Sequence, residues 1–512
     1  MAELLAAFVS GRPDEVAITD DFGARTWSEL DDRVDRWSRL LRDSGLRPGD
    51  RVALLSGNRA EVYEVMLACV HSELLLVPLS WNSGRDELAH VLRDSGSRAL
   101  LVDPELAALG AALDSDQDRV LNAVLGTHPV EGFAPVEPML AAVTGGTAPT
   151  QASGALLIYT SGTSGQPYGT VNGLWRVGAP LASVAGMLDA VGDRCGIPER
   201  GRTLVTGPWY HSAQVFFALF PLLRGCPLTV CAEFEPGRAL DVIARDGVTH
   251  AHMLPIHFVQ LLRLPAATRA AADHSSLRLV WHGGSECPQP VKRQMIDWWG
   301  PLLLEYYGAT ETAVITLIDS EEWLRRPGSV GRAAPGTEVF VADQAGTPLP
   351  SGIDGTIYQR RPLQRPFEYH NAPERTVAAY LDDVTCTVGD IGHLDDEGYL
   401  YLSGRRDELI VANGVTVYPA EVERVLRGHE SVRDVAVFGV DDGEYDRDIA
   451  AAVVLERPTD ADEAARILGQ HCRERLLAAK VPQEFLFMPD LPRDAIGKLS
   501  RRALRVALGD RP

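Results

Sequence analysis

The first hundred residues alternate between two hydrophobic periods. Apolar residues recur every three or four positions between Leu30 and Leu41, which predicts a helix capped by Ser28. Beyond it, short apolar runs typical of buried strands alternate with segments of helical period. The predicted strands are Val52–Leu55, Leu74–Pro78 and Ala99–Val102, and the predicted helices between them are 59–71 and 86–94. Such alternation predicts βαβ units and a mostly parallel sheet.

The pattern changes twice along the rest of the chain. Residues 104–153 are rich in Ala, Gly, Thr and Pro, which predicts an irregular connection with one or two helical turns, and the alternation then resumes to about residue 340. Short strands punctuated by turns from 340 to 405 predict an antiparallel or barrel-like part. The last hundred residues form their own α+β set, with predicted strands at 415–418, 435–440, 449–455 and 484–488 and predicted helices at 420–427 and 463–479.

These patterns predict an α/β protein with two domains. A single core stops growing near ~250–300 residues, so a chain of 512 residues is expected to form more than one folding unit. We place the boundary between residues 404 and 405. Residues 1–404 are predicted to form a large domain of parallel and mixed sheets with helices and the barrel-like part. Residues 405–512 are predicted to form a small α+β domain.

Composition and charge narrow the classes of partner. The chain is 45% hydrophobic and 23% charged, which is typical of globular proteins and argues against disorder. Its formal net charge is −21, so nucleic acid is not an expected partner. A polyanion such as a nucleotide is still compatible with this charge, but only in a locally positive or metal-screened site.

Neither a membrane span nor a disulfide framework is predicted. The longest apolar stretch, Val215–Leu223, is far shorter than the ~20 residues that a spanning helix needs. The N-terminus has no basic region ahead of its short apolar run, so it is a poor secretory signal. The seven cysteines are scattered without CxxC spacing, which predicts reduced thiols in a cytoplasmic protein and core positions for Cys226 and Cys231.

The strongest local motif is the segment 158–169, IYTSGTSGQPYG. An apolar run leads into a loop of small hydroxyl and glycine residues. Such a loop can turn several N–H and hydroxyl donors toward one point, which is what a phosphate chain requires. The GxxxxGK[ST] spacing is absent, so this is not a Walker loop. An ordinary turn between strands is the alternative.

Three further motifs carry polar groups in turns. The segment 305–311, EYYGATE, brings an aromatic ring, a glycine, a hydroxyl and a carboxylate together, and Mg²⁺ commonly takes one or two carboxylates plus phosphate oxygens. The segments 388–392 and 404–408 supply an Asp and an Arg that can bind the hydroxyls of a ribose. In the segment 492–500, Lys498 follows a glycine in a turn and could reach a distant site. Taken singly, each of these is also compatible with an exposed loop.

Together and in this order, the motifs resemble the adenylate-forming superfamily of acyl-CoA synthetases, peptide-synthetase adenylation domains and luciferases. TSGTSGQPYG resembles the phosphate loop of that family, YGATE its nucleotide motif, GDIGHLDDEGYLYLSGRRD its ribose and hinge region, and PRDAIGKLSR its catalytic-lysine loop. Shorter matches lie at 328–332, 369–376 and 418–423. The resemblance covers essentially the whole chain, and residues 282–301 look most like bacterial acyl-CoA ligases.

The resemblance implies a reaction in which an oxyacid and ATP give an acyl-adenylate and pyrophosphate, after which a thiol usually accepts the acyl group. Lys498 would bridge the carboxylate and the α-phosphate, Thr310 would bind phosphate, and Glu311 would hold Mg²⁺. The C-terminal domain would be mobile, with its hinge at Asp407, so that Lys498 can leave and a thiol channel can open. The other implied nucleotide contacts are Thr160, Ser161, Gly162, Thr163, Ser164 and Gly165 around the phosphates, Gly283, Gly284, Ser285, Tyr307 and Gly308 around the adenine, and Asp390 and Arg405 at the ribose.

The resemblance also places an acid-binding pocket. His211 matches the position beside the acyl carboxylate, and Trp209, Phe216 and Phe217 are near enough in sequence to line the pocket. A core histidine and a core aromatic run are the alternatives. The other histidines of this region, His250, His252 and His257, lack a metal-ligand motif and are predicted to be structural.

Two positions depart from the family pattern. Tyr168 stands where the phosphate loop normally has Lys, which removes a charge-assisted contact to pyrophosphate and predicts a weakened ATP affinity. Glu286 stands where related ligases often have Pro. It is expected either to accept a hydrogen bond from the adenine amino group or to be exposed. Both changes favour a specialised enzyme.

The leading hypothesis is an ATP- and Mg²⁺-dependent ligase, cytoplasmic and monomeric or homodimeric, that activates a small-molecule acid and transfers it to coenzyme A. One alternative is a diazotase of a natural-product pathway that adenylates nitrite for an aryl amine. Others are a ligase that loads a carrier protein and, with least support, a nucleotide-binding pseudoenzyme. Bulky side chains around His211 would favour a very small oxyacid, whereas a long apolar tunnel would favour an acyl chain.

Overall fold

A computed structural model describes residues 3–113, 118–144, 151–160, 167–173, 175–361, 366–412, 415–441, 447–494 and 497–508. The chain divides into two compact units. The larger unit holds residues 1–337 and 361–384, and the smaller unit holds residues 338–360 and 385–512. The predicted barrel-like part therefore groups mainly with the C-terminal residues. The domain boundary between residues 404 and 405 was placed at an expected hinge, and it stays a prediction.

The N-terminal quarter of the chain shows the predicted alternation of strands and helices. Its elements are α1 Ala6–Gly11, β1 Val16–Asp20, β2 Gly23–Thr26, α2 Trp27–Asp43, β3 Arg51–Leu55, α3 Ala60–Val70, β4 Leu75–Leu79, α4 Arg85–Ser95, β5 Ala99–Val102, α5 Ala107–Ala112, β6 Leu121–Val124, β7 Ala134–Pro135 and α6 Val136–Ala142.

The alternation continues up to the first break between the units. The elements there are β8 Ala155–Thr160, β9 Tyr168–Asn172, α7 Leu181–Arg194, β10 Thr203–Val205, α8 Ser212–Leu223, β11 Leu228–Val230, α9 Pro236–Asp246, β12 His250–Met253, α10 Pro255–Leu262, α11 Ala266–Ala271, β13 Leu279–His282, α12 Gln289–Trp299, β14 Leu303–Ala309, β15 Ala313–Asp319, α13 Ser320–Arg325 and β16 Arg332–Ala333.

Short strands dominate residues 338–405, as predicted, and longer strands and helices follow in the α+β part. The elements from residue 338 onward are β17 Glu338–Ala342, β18 Gly355–Arg360, β19 Phe367–Tyr369, α14 Pro373–Ala378, β20 Thr385–Cys386, β21 Asp390–Leu394, β22 Leu400–Arg405, β23 Ile410–Ala412, β24 Val415–Val417, α15 Pro419–Arg427, β25 Val432–Asp441, β26 Arg447–Leu455, α16 Ala461–Arg473, β27 Glu484–Phe487 and α17 Arg501–Ala507. The predicted helix 463–479 thus ends six residues early.

Two mixed sheets form the frame of the larger unit. Over the described residues, one sheet has the order β19-β9-β8-β4-β3-β5-β6-β7 and the other has the order β16-β15-β14-β13-β12-β10-β11-β1-β2. Interior neighbours such as β12, β13 and β14 run parallel, whereas β14–β15 and β8–β9 are antiparallel hairpins. Because the carboxyl ends of β12 to β14 meet at one edge, the loops that follow them converge there.

Local signals explain where α2 begins, and they correct one prediction. The helix is capped by Thr26 and not by Ser28. The Thr26 hydroxyl accepts the N–H of Glu29 at 3.2 Å, and the Glu29 carboxylate accepts the N–H of Thr26 at 2.8 Å, a reciprocal capping box. The buried face of α2, including Trp27, Val34 and Trp37, packs into the main hydrophobic core of the larger unit.

A second correction concerns residues 104–153. The segment predicted as irregular contains β6, which lies parallel to β5 inside the sheet and is largely buried. With four residues, β6 is too short to show a period against its Ala- and Gly-rich surroundings.

The smaller unit is built from two main helices and mostly antiparallel strands, with β27 parallel to β26. Within its described residues, β17, β18, β21 and β22 form one sheet with β20 beside β18, β23 and β24 form a hairpin, and β25, β26 and β27 form a three-stranded sheet. The helices α15 and α16 pack apolar faces into its core. The α/β class, with a large N-terminal and a small C-terminal domain, is confirmed.

None of the helices in the described part of the chain combines the length and the apolar character that crossing a membrane requires.

Candidate active site

Thr310 and Glu311 lie in the turn between β14 and β15. This hairpin needs a glycine at position 308, because a Cβ atom there would lie 2.1 Å from the carbonyl oxygen of Ala313 on the returning strand. Ala313 itself adopts a φ of 53°, which reverses the chain directly after the turn. Gly308 thus has a structural reason for its place in the motif, and its contact with a nucleotide stays a prediction.

The Thr310 hydroxyl is joined to the start of α8. It shares a hydrogen bond of 2.8 Å with the hydroxyl of Ser212, the first residue of that helix. His211 caps the helix, and its Nδ1 accepts the backbone N–H of Ala213 at 3.3 Å. In the neutral ring, the proton therefore sits on Nε2. The hydrogen bond between Thr310 and Ser212 thus fixes Thr310, the phosphate-binding candidate, close to His211, the acid-binding candidate.

The segment after β13, which begins with Gly283 and Gly284, lies close to Tyr306 and His211. A Cβ on Gly283 would lie 2.4 Å from the carbonyl oxygen of Tyr306, so glycine is required there by the approach of β14. Gly284 has a φ of 79°, and the atoms nearest to a Cβ there are 3.9–4.0 Å away, on Tyr306, His211 and Leu254. A Cβ at position 284 would therefore be in ordinary van der Waals contact with these three side chains, which places Gly284 beside the His211 ring. Ser285 is half-buried and Glu286 is exposed, so of the two expectations for Glu286 exposure agrees with the structure.

A buried hydrogen-bonded chain lies behind His211. The Gln214 amide donates to Nδ1 of His252 at 2.7 Å, and Nε2 of His252 then donates to the Tyr306 hydroxyl at 2.8 Å. Burial holds the pKa of His252 far below its ordinary value, which keeps the ring neutral. Phe217 stacks on His252 with ring centroids 4.8 Å apart. Together these side chains form a buried, hydrogen-bonded cluster.

The predicted pocket aromatics differ in their surroundings. Trp209 is almost fully buried, and its indole N–H donates to the carbonyl oxygen of Ser56 at 2.6 Å. Phe217 is also buried, whereas Phe216 is half-buried and stacks on Phe220 with centroids 4.2 Å apart. These positions suit core packing, and pocket lining by the three aromatics stays a prediction.

The other histidines behave as the sequence predicted. His250 lies 2.6 Å from the Thr203 hydroxyl, and Nδ1 of His257 accepts the backbone N–H of Leu254 at 3.3 Å. Burial lowers the pKa of each to about 3. All seven cysteines lie in the described part of the chain, where they are buried and form no disulfide with one another; Cys226 and Cys231 are among them.

The position expected to carry a phosphate-loop cation carries an aromatic cluster instead. Tyr168 starts β9 opposite Thr160, the last residue of β8. The Tyr168 and Tyr369 ring centroids are 6.3 Å apart, and the Arg375 guanidinium lies 4.2 Å from the centroid of Tyr168. The predicted phosphate contacts Ser161, Gly162, Thr163, Ser164 and Gly165 lie outside the described residues.

Glu311 is positioned by Tyr369, whose hydroxyl donates to its Oε1 at 3.0 Å. Burial and the charge of Glu311 raise the pKa of Tyr369, so the phenol stays a donor. Among the described residues, no cation pairs with Glu311 and no three His, Cys, Asp or Glu side chains are grouped to hold a metal ion. A single oriented carboxylate fits Mg²⁺, which takes one or two carboxylates plus substrate phosphates and water.

The smaller unit brings Asp390 and Arg405 together. They lie directly opposite each other on β21 and β22, and Nε of Arg405 donates to Oδ1 of Asp390 at 2.9 Å. Asp390 is buried and Arg405 is half-buried. The pair fits the predicted ribose contact, with one carboxylate as acceptor and one guanidinium as donor.

Lys498 stands in a tight turn of the same unit. Its N–H donates to Oδ1 of Asp494 at 2.8 Å, and Gly497 takes a φ of 80°. Arg493 braces the turn by donating to the carbonyl oxygen of Gly497 at 2.8 Å while it pairs with Asp434 at 2.6 Å.

The ammonium group of Lys498 is half-buried near other charged groups of that unit. Burial, followed by Arg405, lowers the pKa of Lys498, whereas Asp390, Asp494 and Glu408 oppose that shift. Lys498 and the Asp390–Arg405 pair are therefore within electrostatic reach of one another. Asp407 lies in a 3-10 turn, Arg406–Glu408, and its side chain is outside the described part of the chain.

Sequence reasoning missed three residues of this region. Ser212 contacts Thr310, Tyr369 contacts Glu311, and Arg375 lies over Tyr168. Tyr369 and Arg375 belong to the matched segment 369–376, which was the available signal. Their partners are distant in sequence, so nothing local indicated which side chains they meet.

These features define a ligase of the nucleotide-dependent, acid-activating class. The description "AMP-binding enzyme" matches residues 5–364, and "AMP-binding enzyme C-terminal domain" matches residues 421–498. The chain belongs to the AMP-binding enzyme family. It is an AMP-forming ligase, and its activity is the ATP-dependent adenylation of a carboxylate.

Similar proteins support this assignment over the full length. A 2-succinylbenzoate–CoA ligase of Geobacillus kaustophilus is 33% identical, with 96% of this chain and 95% of that protein covered. An amide bond synthetase, McbA from Marinactinospora thermotolerans, has a TM-score of 0.83 at 27% identity, with 98% and 99% of the two chains covered. The o-succinylbenzoate CoA synthetase of Bacillus subtilis, in complex with an acyl-adenylate intermediate, has a TM-score of 0.82 at 26% identity, with 99% and 98% covered.

Proposed function

We propose that this protein transfers its adenylated acid to the thiol of coenzyme A. In the first step a carboxylate oxygen attacks the α-phosphorus of ATP, and pyrophosphate leaves. In the second step the thiol sulfur attacks the acyl carbon, AMP leaves, and the thiol proton is released. The similarity to a CoA ligase over nearly the whole of both chains supports this acceptor.

One observation supports the placing of the reaction most strongly. The Thr310–Ser212 hydrogen bond ties the turn that holds Glu311 to the helix that His211 caps. A phosphate held at Thr310 and a carboxylate held near His211 would therefore be close neighbours. Such fixed proximity is what converts a weak nucleophile into an effective one.

The two oxyanions repel each other, so cations must neutralise them. In this proposal the smaller unit supplies Lys498, which bridges the carboxylate and the α-phosphate. Asp407 is the proposed hinge. When bound at Glu311, Mg²⁺ would neutralise part of the phosphate charge. Asp390 and Arg405 would hold the ribose, and Tyr307 and Gly284 would flank the adenine.

A second candidate function is the adenylation of nitrite for transfer to an aryl amine. The buried cluster of Gln214, His252 and Phe217 would favour it if the cluster closes the acid pocket at His211, because a short pocket suits a very small oxyacid. Carrier-protein loading is a third possibility for the acceptor alone.

ATP–pyrophosphate exchange tests the proposal across aryl acids, fatty acids, amino acids and nitrite. The proposal expects exchange with a carboxylic acid and, after addition of coenzyme A, release of AMP together with a thioester. Exchange with nitrite alone would replace it by the second candidate. An adenylate that reacts with a carrier protein or an amine, but not with coenzyme A, would contradict the acceptor.

A further inference from the structure

A cation lies over the aromatic ring that replaces the usual phosphate-loop lysine. Arg375, on α14, places its guanidinium carbon 4.2 Å from the centroid of Tyr168 and 5.1 Å from that of Tyr369. A cation within about 6 Å of a tyrosine face is attracted by the ring quadrupole. Tyr168 therefore replaces the positive charge of the usual lysine, and its ring holds the positive charge of Arg375 close by.

Arg375 contacts neutral aromatic side chains, including a hydrogen bond with Tyr369, and its charge is not neutralised by a carboxylate among the described residues. No carboxylate in the described part of the chain pairs with Arg375, and its Nε is buried without a hydrogen-bond partner there. The two aromatic rings position the guanidinium and leave its charge unneutralised. Such a group is suited to a bidentate anion, which a guanidinium binds through paired N–H donors.

The neighbours of Arg375 indicate which anion it meets. Tyr369 lies under Arg375 and donates to Glu311, the residue proposed for Mg²⁺. Tyr168 comes three residues after Gly165, the end of the segment predicted to wrap the β- and γ-phosphates. A phosphate chain that reaches Glu311 would thus pass close to the guanidinium.

We propose that Arg375 supplies the positive charge that position 168 lacks and binds the terminal phosphates of ATP and the pyrophosphate product. Tyr168 is then the platform that positions this arginine, and the weakened ATP affinity expected from Tyr168 alone is largely offset. This inference deepens the proposed function and rests on it for the placing of the phosphates at Glu311.

Binding of Mg-ATP and of AMP, measured by calorimetry without any acid, tests the inference. Arg375→Gln is expected to raise the dissociation constant for ATP about tenfold, because a charge-assisted contact is lost, and to leave that for AMP unchanged. Tyr168→Lys in the Arg375→Gln background should restore most of the loss. Equal weakening of ATP and AMP, or no weakening of either, would overturn the inference.

Arg269 provides a matched control. It also lies on a short helix, its guanidinium is 5.8 Å from the ring of Trp298, and its Nε is also buried without a partner among the described residues. Arg269→Gln should leave both affinities unchanged. If it weakens ATP as much as Arg375→Gln does, the effect is not specific to the phosphate site and the inference fails.

A second variant retains the Arg375 residue and so does not depend on the folding of Arg375→Gln. Tyr168→Lys alone should change ATP affinity less than threefold, since a cation already serves the site. A gain of tenfold or more would show that the site lacked a cation and would overturn the inference. A different result would contradict the proposed function: the unmodified protein would bind ATP but would exchange pyrophosphate with none of the acids.

Discussion

The hydroxyl of Tyr369 donates a hydrogen bond to Oε1 of Glu311 at 3.0 Å, and both side chains are buried. The contact fixes one carboxylate oxygen and leaves the other for a ligand. Tyr369 thereby links a strand of one sheet, β19, to the β14–β15 turn of the other. A positioning partner of this kind orients a metal-binding carboxylate and tunes its affinity.

Tyr369→Phe should raise the Mg²⁺ concentration needed for half-maximal pyrophosphate exchange about tenfold, because the carboxylate loses its positioning partner. Tyr380→Phe is the matched control. Its hydroxyl donates to the carbonyl oxygen of Phe367 on the same strand at 2.7 Å and does not contact Glu311. A Mg²⁺ titration that is identical for Tyr369→Phe and Tyr380→Phe would contradict a role in metal binding.

Gly308→Ala should destabilise the larger unit by about 3 kcal/mol or more, because the new methyl group meets the carbonyl oxygen of Ala313. Gly284→Ala meets no atom closer than 3.9 Å, so only the strain of its positive φ remains, about 1–2 kcal/mol. Denaturant unfolding compares the two. Equal stability of both variants would contradict the close approach of the strands at Gly308.

Acid should destabilise the protein between about pH 6.5 and pH 3. His250 and His257 have a pKa of about 3 when folded, below the ~6.5 of an exposed histidine, so the unfolded chain binds more protons in this window. Stability is therefore full above pH 6.5 and falls by about 1.4 kcal/mol per pH unit for each ring as the pH drops.

Unfolding measured across this window in the unmodified protein and in His250→Gln checks the sign. The variant should start less stable at pH 7, because it loses a buried hydrogen bond, but its stability should depend less steeply on pH. An unchanged slope would show that His250 does not titrate on unfolding.

Much of the fold could be predicted because its elements carry a strong local period. The strands before and after α3 were predicted to within a residue or two. The errors fall where the local signal is weak. The strand β6 is four residues long, and the cap of α2 was predicted at Ser28, whereas Thr26, with Glu29 three positions later, forms the capping box.

The candidate site could be predicted only where one motif contains all the parts. Asp390 and Arg405 come from one motif region and prove to be paired across two neighbouring strands. Tyr168 and Arg375 are far apart in sequence, and only the antiparallel pairing of β9 with β19 brings their segments together. The sequence indicated that Tyr168 removes a cation from the phosphate loop. Only the fold shows that Arg375 brings another cation to the same place.

The central claim is that one lysine of the smaller unit stabilises the attack of the acid on the α-phosphate. Pyrophosphate exchange by Lys498→Ala tests it most directly, with Lys480→Ala as the control, since Lys480 pairs with Glu421 in the same unit at 2.6 Å. The account predicts that Lys498→Ala exchanges about 10²–10³ times more slowly while still binding ATP, as when an oxyanion donor is removed, and that Lys480→Ala exchanges normally. An unchanged exchange rate in Lys498→Ala would contradict it.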